Sequence, residues 1–156
     1  MTAPLIDTAT VQATANAAKA FVDNLAASLR ETNTIVLNIP SIEGTKADWF
    51  EDGGQREFGY QPPRPFMLVP NVPVRLQIDE SGRINWTAML TPVGLSAGRT
   101  MAFALHAGGT VRGAFTPLSG AYRERKLRKG QPGIPGVATG AMANAFENCV
   151  VTVRRD

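Results

Sequence analysis

The stretch Val74-Arg75-Leu76-Gln77-Ile78-Asp79-Glu80-Ser81-Gly82-Arg83-Ile84-Asn85-Trp86-Thr87-Ala88-Met89-Leu90 decides how the rest of the chain is read. Val74, Leu76 and Ile78 alternate with Arg75, Gln77 and Asp79. After a Glu80-Ser81-Gly82 turn, Ile84, Trp86, Ala88 and Leu90 alternate with Arg83, Asn85, Thr87 and Met89. Side chains of a strand change face at every residue, so the pattern predicts a hairpin with one buried face. A second pair repeats the plan, with Met101, Phe103 and Leu105 before Gly108-Gly109 and Val111 and Phe115 after it. Thr91 to Arg99, with Pro92, Gly94 and Gly98, reads as the loop between the hairpins. Phe66 to Val69 is a short leading strand, which Pro70 and Pro73 confine to an edge because they donate no amide. The expected core is Val74, Leu76, Ile78, Ile84, Trp86, Phe103 and Val111.

Outward from this core, residues 7–32 read as a helix that Asp7 or Thr8 can cap, with Asn33 as its stop. Val11, Ala15, Ala18, Val22, Leu25 and Leu29 form a narrow apolar seam along it, widened by Phe21. Such a seam packs on the chain's own sheet or docks on a neighbouring subunit. Thr34 to Ile39 is a strand closed by Pro40, 140–146 a short helix, and Cys149 to Val153 a last strand that returns to the sheet. Two long segments, 41–65 and 116–139, show little periodicity. The first carries Trp49, Phe50, Phe58 and Tyr60, aromatics that seek cover, and an extended Pro62-Pro63-Arg64-Pro65 run. The second concentrates Arg123, Arg125, Lys126, Arg128 and Lys129 around a single acid, Glu124, beside Tyr122. The expected fold class is a β-rich α+β single domain over 1–156. Its antiparallel sheet forms a sandwich or small barrel-like core, with the N-terminal helix packed against it and two long irregular loops.

Composition bounds the function. With 156 residues, 44% hydrophobic and 19% charged, the chain belongs with globular proteins. A net charge of +3 permits an acidic partner without requiring one. Cys149 is the one cysteine, so no intrachain disulfide forms. Met1 to Ile6 lacks the basic region and apolar run of a secretory signal, and no window reaches the roughly 18–20 apolar residues that cross a bilayer. Synthesis in the cytoplasm and no membrane partner are expected.

Candidates for chemistry are few. His106, the one histidine, sits where turn or rim residues are commoner than general bases. Cys149 opens a buried-looking strand and reads as a small hydrophobe. One His and one Cys cannot supply a structural zinc site. The carboxylates at Asp48, Glu51 and Asp52, and at Asp79 and Glu80, lack EF-hand spacing. Neither a GxGxxG nor a GxxxxGK[ST] phosphate motif is present. Gly94-Leu95-Ser96-Ala97-Gly98 matches GxSxG, but a nucleophile elbow needs a strand-turn-helix, and a hydrolase would need Ser96 and His106 within hydrogen-bond reach. No catalytic residue, metal or cofactor is expected.

A compact core, a seamed helix and two aromatic or basic segments together fit a non-enzymatic assembly protein that forms a symmetric oligomer or lattice. Its partners would be copies of itself and other structural subunits, met through Trp49, Phe50, Tyr60, Arg123, Arg125, Lys126 and Arg128. This has the general character of head decoration, head–tail connector and tail proteins, so a bacteriophage virion is the expected setting; the comparison is one of style and rests on no motif. The alternative is a nucleic-acid-binding module using 122–129, whose cations would release counterions from phosphates.

Overall fold

The chain departs from the expected β core at Trp86, where a 22-residue helix begins. The computed structural model describes residues 7–56, 59–136 and 140–156. In order they form α1 (Thr8–Leu29), β1 (Asn33–Asn38), α2 (Ser41–Asp52), β2 (Gly54–Arg56), β3 (Gly59–Gln61), α3 (Trp86–Ala107), β4 (Gly109–Thr110), β5 (Gly113–Ala114), α4 (Gly120–Arg128), α5 (Ala141–Glu147) and β6 (Val150–Arg155). Among the described residues the strands make only two-stranded antiparallel ribbons: β1–β6, β2–β3 and β4–β5. Helices dominate, and the expected β-rich sandwich or barrel is not present. Phe58 lies outside the described residues.

The physical reason lies in α3. Asn85 caps it, accepting a hydrogen bond from the Ala88 amide at 3.1 Å, and the Gly108 amide closes it on the Ala104 carbonyl. Its buried residues, Gly94, Ala97, Gly98, Met101, Ala102, Ala104 and Leu105, recur at helical spacing. Those positions absorb both the loop expected over 91–99 and the strand expected over 101–105. Pro92 removes one amide donor, but it lies on the exposed side, and the buried face beyond it offsets the cost. Of the first hairpin, only the Ile78–Ile84 bridge forms. The turn inside it is tied by Asp79, whose Oδ1 accepts from the Ser81 hydroxyl at 2.6 Å, the Ser81 amide at 2.9 Å and the Arg83 amide at 3.0 Å. These bonds, the Ser81 hydroxyl first, hold the Asp79 carboxyl below the usual carboxylate range.

The expected core list is corrected accordingly. Ile84 is buried, Ile78 and Trp86 are partly covered, and Val74 and Leu76 are exposed. Phe103, on the outer face of α3, is 73% exposed, and Val111, at the tip between β4 and β5, is 99% exposed. The actual core gathers where α3 lies across the β1–β6 ribbon and against α5. Four phenylalanines from four parts of the chain close it. The Phe50 ring meets Phe66 at 5.6 Å and Phe115 at 5.1 Å, and Phe66 meets Phe146 at 5.5 Å, all edge to face.

The GLSAG string has a packing role in this arrangement. A Cβ on Gly98 would lie 2.6 Å from the Phe146 carbonyl oxygen and 2.8 Å from the Cys149 sulfur. One turn earlier, a Cβ on Gly94 would meet Val151 at 2.5 Å and Ile35 at 2.9 Å. Two glycines four apart on one helix face let α3 approach β1, β6 and α5 closely. Cys149 is buried there, and burial pushes its thiol pKa up.

Both segments expected to be irregular are structured. Residues 41–65 hold α2 and the β2–β3 hairpin, and 116–139 hold α4. The Glu51 carboxylate fixes the chain after the proline run, accepting from the Phe66 amide at 2.7 Å and the Met67 amide at 3.0 Å. α1 packs on the turn before α3 and not, as expected, on a sheet. Ser28 is buried there: its hydroxyl accepts from the Ile84 amide at 3.3 Å and its carbonyl from Trp86 Nε1 at 3.3 Å. Asn24 Nδ2 adds a bond to the Ser81 carbonyl at 2.8 Å.

Candidate functional site

Two surfaces stand out, one on α1 and one where the two aromatic and basic segments meet. From Thr8 to Ala20 every residue of α1 is exposed. In the seam, Val11 is 50% exposed, Val22 61% and Leu29 63%; Ala15 and Ala18 are exposed, and only Leu25 is partly covered. An Asp7 cap and an exposed Lys19–Asp23 pair at 2.7 Å support the helix locally.

The second surface is a cleft of about 550 Å³ between α2, β3 and α4. α2 presents Glu43, Lys46 and Trp49 to it at three-residue spacing, and α4 presents Tyr122, Arg125 and Lys126 at spacings of three and four. β3 adds Tyr60 and Gln61. Trp49, Tyr60 and Tyr122 are all substantially exposed, so the rim is aromatic. The floor is cationic. Arg64 is buried and spans to the chain before α4, donating from Nε to the Thr116 carbonyl at 2.8 Å and from Nη2 to the Pro117 carbonyl at 3.4 Å. Its guanidinium also lies 5.6 Å from the centre of the Phe50 ring. Lys126 is buried too, and its ammonium donates to the Ile134 carbonyl at 2.8 Å. Desolvation lowers the pKa of both groups, and both still donate to carbonyls. Arg125 lies 5.3 Å from the centre of the Tyr122 ring.

Among the described residues one acid faces these cations. Glu43 is 8% exposed; its Oε1 accepts from Lys46 Nζ at 2.9 Å, and its Oε2 is shielded from solvent and accepts no hydrogen bond. A glutamate at this place in a first turn ordinarily reaches back to the amide of the capping residue. Here that residue is Pro40, which has none.

The structure therefore brings Trp49, Tyr60, Arg125 and Lys126 to one cleft. Phe50 lines its inner wall as a core residue. Arg123 packs instead beside Gly133, and Arg128 pairs with Glu124 at 3.3 Å on the exposed side of α4. Glu43, Lys46 and Arg64 were not singled out from the sequence; the signal for Glu43 and Lys46 was helical spacing within 41–52, and Arg64 in its proline run carried none. Ser96 and His106 both lie on α3, ten residues and so about 15 Å apart along its axis, beyond hydrogen-bond reach. Among the described residues no group of three or more His, Cys, Asp or Glu is placed to hold a metal ion, and no helix is long and apolar enough to cross a membrane.

No family model, curated protein or solved structure matches the chain.

Arg64→Ala removes the tie between the two halves of the cleft and takes a donor from three carbonyls, those of Pro62, Thr116 and Pro117. A loss of about 1.5–3 kcal/mol in unfolding free energy is expected, the range for hydrogen bonds to a charged group. Urea titration checks it, and Arg64→Lys should restore only part of the loss.

Proposed function

We propose that the chain is a non-enzymatic assembly subunit that works as a symmetric homo-oligomer or lattice, in a bacteriophage virion as a head decoration, head–tail connector or tail protein. The observation that carries the reading is α1, whose residues 8–20 are exposed along a helix about 33 Å long. The uncovered part, residues 8–20, has about the length at which a helix standing alone is marginal in water, and an apolar face is what normally stabilises it. A second copy is the occupant that fits. The seam is self-complementary in its small and apolar residues, and the one ion pair beside it is closed within the helix, so no net charge opposes a like helix. The segment 69–76 supports the same reading. It runs without regular structure and leaves Val69, Val74 and Leu76 exposed, a form suited to adding a strand to a neighbour. The virion setting rests on the combination of a projecting helix and an extended strap in so small a subunit.

Light scattering on a sizing column tests the proposal. The full chain should run at a multiple of 16.7 kDa, and a Val11→Asp/Val22→Asp double variant should fall to the single-chain mass with its body still folded by circular dichroism. A wild-type monomer at every concentration, with amides of 8–20 exchanging as slowly as those of α3, would overturn it.

A further inference from the structure

We propose that the cleft between α2, β3 and α4 is a nucleotide site in which a nucleobase lies against the Trp49, Tyr60 and Tyr122 rim, its amino group donates to Glu43, and its phosphate meets Lys46 and Arg125. This goes beyond the assembly reading and does not depend on it.

Three observations carry the inference. The volume, about 550 Å³, lies within the range of small-molecule sites. The rim offers aromatic faces, on which any base stacks, while Lys46, Arg64, Arg125 and Lys126 outnumber the one carboxylate that faces them among the described residues and set a positive potential. The buried Oε2 of Glu43 asks for a donor that the protein does not supply. An acidic peptide would match the cations but set further carboxylates against Glu43. A nucleotide carries an amino donor, a flat ring and a phosphate on one molecule, spaced by its sugar. Lys46 is the movable part. Its side chain is 50% exposed, so its ammonium can leave Oε1 for the phosphate and open the carboxylate to the base.

Glu43 also sets a preference. Cytosine presents an amino donor where thymine presents a carbonyl acceptor, and a carboxylate accepts only from the former. The test is equilibrium titration of the full-length protein with oligodeoxycytidine, oligodeoxythymidine and cytidine monophosphate. Oligodeoxycytidine should bind about tenfold more tightly than oligodeoxythymidine. Glu43→Gln, whose amide both accepts and donates, should erase that ratio. Trp49→Ala should weaken both oligomers by about tenfold or more. Cytidine monophosphate binding with the same dependence on Glu43 and Trp49 assigns the site to free nucleotides; binding of the oligomer alone assigns it to a strand. A ratio near one in the wild type, or binding indifferent to Trp49→Ala, overturns the proposal. So does a Glu/Tyr-rich peptide that binds through Trp49 where the nucleotides do not, since it would make the cleft a protein-docking groove. Native mass should be unchanged in both variants, which separates this result from the assembly test.

Discussion

Phe66→Ala is expected to lower the unfolding free energy by about 3–5 kcal/mol, read from the urea midpoint at unchanged slope. The ring is fully buried, and it is the one that joins Phe50 of α2 to Phe146 of α5. Its removal takes away the transfer free energy of a large side chain and two edge-to-face contacts. It also leaves a cavity that the Phe50 and Phe146 rings cannot fill without moving α2 or α5. For a domain with a typical stability of about 5–15 kcal/mol, that is a large share. Phe66→Leu should recover more than half of the loss. A cost under about 1 kcal/mol for the alanine would mean that α2 collapses onto α5 freely, and that the phenylalanine cluster does not fix the cleft wall.

Gly98→Val is expected to be comparably damaging, at about 3 kcal/mol and at the upper end of overpacking costs. A branched side chain there must displace the Phe146 carbonyl and the Cys149 sulfur, which are backbone and core and cannot swing aside. Gly98→Ala brings the same Cβ against the Phe146 carbonyl and the Cys149 sulfur, and the roughly 1 kcal/mol that alanine gains as a helix former offsets only part of that cost, so it should destabilise by less than valine does. The contrast between the two variants is the informative measurement. Melting temperatures at the wild-type value for both valine and alanine would show that α3 does not sit as close to α5 as its glycines allow.

The same glycines explain what the sequence hid. Pro92, Gly94 and Gly98 are breakers in a solvated segment, and local reading turns them into a loop. In a helix that must lie close against other backbone, glycine is what the packing requires, and tertiary contact overrides propensity. The run from Ile84 to Leu90 misled for a different reason. Four apolar residues at period two also place Trp86 and Leu90 one helical turn apart, so so short a run cannot separate the two periods. Where the signal was longer or more local, it was legible. The helix expected over 7–32 and the strands expected from Thr34 to Ile39 and from Cys149 to Val153 correspond to α1, β1 and β6. The cleft was half visible. Trp49, Tyr60, Arg125 and Lys126 attracted notice as residue types, but nothing in composition says that two distant segments share one wall. That follows from α2 and α4 each presenting a stripe, and from Arg64 crossing between them.

The β1–β6 ribbon has a consequence in time. Thr34 Oγ1 donates to the Asp156 carboxylate across 122 residues of sequence, and the register runs from Asn33 opposite Arg155 to Asn38 opposite Val150. α3 rests on both strands, so half of its seat is missing until β6 has been made. During synthesis α1 emerges before the elements of the core, with its apolar seam already formed in sequence, while the core waits for β6. If α1 pairs copies as proposed, nascent chains on one message present seams to one another before any of them has a closed core. Such a chain could then find its sister chains at the ribosome, and its yield should depend on how quickly β6 follows.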